Sequence, residues 1–104
     1  MTQQPNTLRG EAEFSIGDQR LIIRPNFQAL VAAEEELGSL FALVERASEG
    51  ELTLAEITGL LWHCMECEHR PSRETVGTAV LACGVVAATK PVRAILAQVI
   101  QGQQ

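Results

Sequence analysis

His63, Cys64, Cys67 and His69 fall within seven residues and are the one place in this sequence where side-chain types resemble metal ligands. Zinc takes such groups tetrahedrally, usually as two pairs from separate segments that close a loop. Here all four sit at one predicted helix end, where Cys64 and Cys67 share a face while His63 and His69 diverge from it. A tetrahedron would need that helix to unwind, or Cys83 to join from another element. Buried thiols and exposed imidazoles are the expected state, with no bound metal. Covalent catalysis is no better served, because a thiolate needs a neighbouring base or a positive environment. Cys64 and Cys67 stand instead among Glu66 and Glu68. His63 reaches Cys67 at helical spacing, but no oxyanion hole or substrate pocket is marked. The glycines are scattered at turns and helix ends and form no phosphate loop. Glu13 with Asp18, and the run Glu34, Glu35, Glu36, are the nearest approach to paired carboxylates, and their hairpin and helix-surface positions predict solvation. The expectation is a chain that is not an enzyme and holds no cofactor.

Binding is the chemistry left. Trp62 lies off the main apolar stripe of its helix, where an aromatic serves either as a core-edge filler or as a binding anchor. The uncharged run Thr75 to Thr89 poses the same choice between a buried helix-turn-helix and an apolar surface. Its stripe Val76, Val80 and Cys83 is expected to be buried. Trp62, Val85 and Val86 are the candidate partner-binding residues.

The elements that would position them begin with a hairpin. From Leu8 to Ile16 apolar or small residues (Leu8, Ala12, Phe14, Ile16) alternate with Arg9, Glu11, Glu13 and Ser15, the period of a strand with one covered face. A two-residue turn at Gly17-Asp18, glycine first, sets Ile16 opposite Gln19, Phe14 opposite Leu21 and Ala12 opposite Ile23. The other face pairs Ser15 with Arg20, Glu13 with Ile22, and Glu11 with Arg24 in a solvated ion pair. Pro25 ends the strand and Asn26 caps a helix whose expected buried stripe is Phe27, Leu30, Val31 and Leu37. Gly38 stops it. Ser39 opens a second helix with Leu40, Phe41, Val44 and Ala47, which Glu49-Gly50 ends. Thr53 and Glu56 form a capping box for a third, striped by Leu54, Ile57, Leu61 and Cys64 with Leu60 alongside. Pro71-Ser72 starts a fourth helix that runs to Gly84, and Pro91 fits the first turn of a fifth with Val92, Ile95, Leu96 and Val99. The predicted fold is α+β: a hairpin (8–25) packed on about five short α-helices (26–101) in a single domain (8–101), behind a polar tail (1–7).

With 104 residues the chain has length for one modest core. Its apolar content of 46% excludes global disorder. The net charge of −5 is uneven: residues 1–70 carry five basic and twelve acidic side chains, residues 71–104 three basic and one acidic. Without a basic stripe, nucleic acid is not an expected partner. The opening MTQQPNT has neither a positive start nor an apolar segment, and no uncharged run is long enough to cross a bilayer. No membrane association is expected. Three cysteines beside no export signal fit reduced thiols in a bacterial cytoplasm.

The order Leu8-Arg9-Gly10-Glu11, hairpin, Asn26-Phe27-x-Ala29-Leu30 and Glu35-Glu36-Leu37-Gly38-Ser39-Leu40 resembles the tail assembly chaperone family of gene transfer agents and related siphophages. The likeness continues through Leu43 to Glu45, Gly50-x-Leu52-Thr53 and Glu74-x-Val76-Gly77, so it spans nearly the whole chain. The His63 to His69 segment and Pro91 depart from the family pattern. The resemblance implies a non-enzymatic assembly factor that binds the tape-measure protein, helps recruit tail-tube subunits and is absent from the finished particle. It also implies that a longer, frameshifted form is produced from related genes. The rival expectation is a small structural tail subunit retained in the particle, with a metal-binding regulator a weaker third. Self-association stays open beside both.

Overall fold

Gly17, at φ +58°, makes the turn that the alternating segments on either side require. No other residue type tolerates that angle so cheaply, and Asp18 after it does not take a positive φ, the pattern of a type II′ hairpin turn. The computed structural model describes residues 11–67 and 69–101. The expected tail, Leu8 at the start of the expected strand, Glu68 and the terminal Gly102 all lie outside the described residues. Strands β1 (Ala12–Ile16) and β2 (Gln19–Ile23) pair antiparallel in the expected register, Ala12 with Ile23, Phe14 with Leu21 and Ile16 with Gln19. Phe14, Leu21 and Ile23 turn their side chains into the core.

Among the described residues five helices follow: α1 (Phe27–Leu37), α2 (Leu40–Ser48), α3 (Leu54–Cys64), α4 (Arg73–Cys83) and α5 (Val85–Gln101). Their starts obey the local sequence. Asn26 Oδ1, Ser39 Oγ and Ser72 Oγ each accept from the backbone N–H three residues on. The Thr53–Glu56 box is complete, at 3.1 and 2.9 Å. Gly38, at φ +90°, terminates α1 and donates its N–H to the Glu34 carbonyl.

Three expectations about elements are corrected. The α3 helix stops at Cys64, and Met65–Glu66 forms a third strand, β3, antiparallel to β2. Met65 is buried there opposite Ile23, and the Cys64 carbonyl accepts from Arg24 N–H at 2.7 Å, so sheet pairing takes over where the helical pattern ends. The continuous helix expected for His63 to His69 does not form. The fifth helix starts at Val85, and Pro91 lies in its interior. Burial of Ala88 and of the Pro91 ring holds these first turns in place despite the missing N–H. Glu11 with Arg24 is not solvated: Glu11 is buried, and Arg24 reaches Glu11 at 3.4 Å and Glu66 of β3 at 2.6 Å.

Buried faces are corrected too. In α1, Phe27 is 81% exposed and Val31 is also exposed, while Ala33 is fully buried. The reason is which side of α1 meets α3: Leu37, one turn on from Ala33, packs 3.2 Å from where a Cβ on Gly59 would lie, and Phe27 and Val31 stand about 120° or more around the helix from Ala33. In α2 the buried positions are Leu40 and Leu43, and Phe41 is 61% exposed. Leu54 and Cys83 are exposed as well, whereas Val76 and Val80 are buried as expected. The core runs from the sheet through Leu43, Ile57, Leu60 and Leu61 to Val92, Ile95 and Leu96 of α5. Among the described residues no single helix is long and apolar enough to cross a membrane.

Candidate functional site

Helix α3 delivers Trp62 and His63 to the end of the molecule where α4 begins. The Trp62 indole N–H donates to the Pro71 carbonyl at 2.8 Å, and the guanidinium carbons of Arg70 and Arg73 lie 4.5 and 4.3 Å from its ring centre. The His63 ring meets it edge-on, with centroids 5.0 Å apart. Trp62 therefore pins the segment between β3 and α4 through one hydrogen bond and two cation–π contacts. His63 Nε2 is 2.7 Å from Glu36 Oε1, and Arg73 holds both oxygens of the same carboxylate. Hydrogen bonds from Arg73, then His63, hold the Glu36 carboxyl down at about 2. The acid run on α1 is exposed as expected, but two of its members are engaged. Glu36 is tied across to α3 and α4, and Glu34 Oε2 accepts from Leu40 N–H at 3.2 Å. Nothing in the local sequence signals these contacts, because the partners lie 27 and 37 residues away.

His63, Cys64 and Cys67 line one polar cleft with Arg24, Glu66 and Arg70; His69 is exposed elsewhere. His63 is engaged by Glu36, and burial pushes the Cys64 thiol up to about 12. Cys83 is exposed at the end of α4. Among the described residues no group of three or more His, Cys, Asp or Glu side chains is arranged to hold a metal ion. A thiol so reluctant to ionise is neither a ready ligand nor a ready nucleophile.

The three candidate binding residues do not form one patch. Trp62 stands beside Arg73, the first residue of α4, while Val85 and Val86 follow its last; an 11-residue helix separates them by roughly 16 Å. Val86 is 86% exposed at the start of α5. A second apolar face, missed by the sequence reading, lies where α1, α2 and the end of α5 meet. Phe27, Val31 and Phe41 rim a groove with Leu30, Leu40 and Val99, and Glu34 stands at its edge. No local signal marks it: Phe27, Leu30, Val31 and Leu37 span about 120° at 100° per residue, the ordinary width of one packed face.

A hairpin leading five helices among the described residues, with aromatic side chains left exposed, defines a small α+β fold. A family model described as "Phage tail tube protein, GTA-gp10" matches residues 9–102, and the chain belongs to that family. This agrees with the phage-tail and gene-transfer-agent side of the sequence resemblance. Comparison with curated proteins and with solved structures gives no match.

Proposed function

We propose that this chain is a structural subunit of a phage-type tail and works by holding neighbouring tail proteins, without catalysis. Membership of a tail tube family across residues 9–102 carries this reading. The exposed Phe27, Phe41 and Val86 support it, since large apolar side chains left in water gain most from a protein partner. Burial that disfavours the Cys64 thiolate supports a role that is not enzymatic. Quantitative mass spectrometry of purified particles is the test. The chain should be present at a fixed ratio to the major tail protein, and its absence from intact particles would defeat the subunit reading.

One observation favours a second reading, the tail assembly chaperone. The groove between α1, α2 and α5 has an apolar floor and an acidic edge at Glu34, a shape that takes an amphipathic helix through spaced apolar anchors. A tape-measure segment would be such a helix, and delivery of tail-tube subunits would follow in the host cytoplasm. A chaperone co-purifies with the tape-measure protein from lysates and is missing from particles. In either reading Trp62, Val85 and Val86 are proposed contact residues, and Val86→Asp is expected to weaken capture of tail partners.

A further inference from the structure

Helix α5 carries a face directly opposite its buried side. Val86, Lys90, Arg93, Ala97 and Ile100 fall within about 80° of one another at 100° per residue, and all five are exposed. Among the described basic residues, Arg20, Arg24, Arg46 and Arg73 are ion-paired and Arg70 stacks on Trp62. Lys90 and Arg93 have neither kind of contact, and both stand on this strip. The face is thus a basic centre between two apolar ends.

Its complement is on the same chain. The α1–α2 face presents Phe27 and Val31, with Glu35 one turn beyond Val31, and Phe41 with Glu45 one turn beyond it. Neither Glu35 nor Glu45 is in an ion pair with a described residue. One surface offers apolar side chains with two carboxylates, the other apolar side chains with two cations. We propose that a second copy of this chain is the occupant of the α1–α2 face, docking its α5 strip there with Lys90 and Arg93 against Glu35 and Glu45. Apolar burial supplies the attraction, and the charges fix which surfaces meet. This goes beyond the tail-protein reading and does not depend on it, because it concerns the isolated chain.

Light scattering coupled to size-exclusion chromatography of the full chain tests it. The wild type should run at a multiple of its 11.3 kDa mass, and the association should weaken as salt rises. A variant with Lys90→Glu and Arg93→Glu should bind itself about tenfold or more weakly. So should one with Glu35→Arg and Glu45→Arg. Each variant alone sets like charges face to face, whereas an equimolar mixture restores opposite charges at every contact and should recover the assembly. Circular dichroism of each variant separates loss of association from loss of fold, since all four sites are exposed. A wild type that stays at the chain mass at high concentration overturns the proposal, leaving the groove for a foreign segment. So does a mixture that associates no better than its components.

Discussion

Glu36 accepts from Arg73 and His63, and its carboxyl is held at about 2, against 4.5 for the free side chain. A group whose folded value is depressed contributes stability that is fully present above its unfolded value. That contribution is lost as pH falls from about 4.5 toward about 2. Half-exposure and solvent screening limit the pair to about 1 kcal/mol. Glu36→Gln should therefore cost about that much at neutral pH and flatten the acid limb of the stability curve in this window. Urea titrations of both proteins at a series of pH values would show the two curves converging as acid is added. Parallel curves would mean that Glu36 gains nothing from its two partners. The metal-ligand types that stand out in the sequence, His63 and Cys64, are here engaged in a hydrogen bond to Glu36 and in packing.

At the scale of elements, two glycines with the same sequence signature have opposite roles. Gly59 lies in α3 where an added Cβ meets Leu37 at 3.2 and 3.3 Å, whereas one on Gly77 of α4 meets Thr58 at an ordinary 3.8 Å. Gly77→Ala should raise stability by up to about 1 kcal/mol through helix propensity. Gly59→Leu should lower it by about 1–3 kcal/mol, because α1 has to move off α3. Thermal melts of the two variants displaced in the same direction would contradict the packing described. What the sequence discloses at this scale is whatever is local. The hairpin register follows from alternation plus Gly17, and the starts of α1 to α4 from Asn26, Ser39, Thr53 and Ser72. What it hides depends on distant neighbours. Met65–Glu66 is a strand only because β2 lies beside it. Pro91 marks a helix start by local rules, yet burial of Ala88 carries α5 back to Val85. Phe27 and Phe41 fit a core stripe by period, but the near approach of α1 to α3 gives the inside to Ala33. The groove between α1, α2 and α5 was illegible for that same reason.

Across the whole molecule, α3 is one of two central rods, α5 being the other. Its Ile57, Leu60, Leu61 and Cys64 are buried, it packs against α1, α4 and α5, and it passes directly into β3 of the sheet. The Arg46–Glu56 ion pair adds α2, through a carboxylate that also closes the α3 capping box. With α1 and α4 leaning on the α3 rod, and α2, α4 and the hairpin on α5 packed against it, no part has a core of its own, and folding should be all-or-none. Leu60→Ala removes a fully buried side chain from that rod and should cost about 2–5 kcal/mol. That is a large share of the 5–15 kcal/mol typical of a domain, and each kcal/mol lowers Tm by roughly 4–8 °C at this size. Trp62 is the single tryptophan and sits on α3 itself, so its fluorescence reports the rod while far-UV circular dichroism reports the helices together. The two signals should melt together in the wild type, and together again at a lower temperature in Leu60→Ala. If the fluorescence transition came first and left helical signal behind, the outer helices would have stability apart from α3, and the single-core architecture would fail.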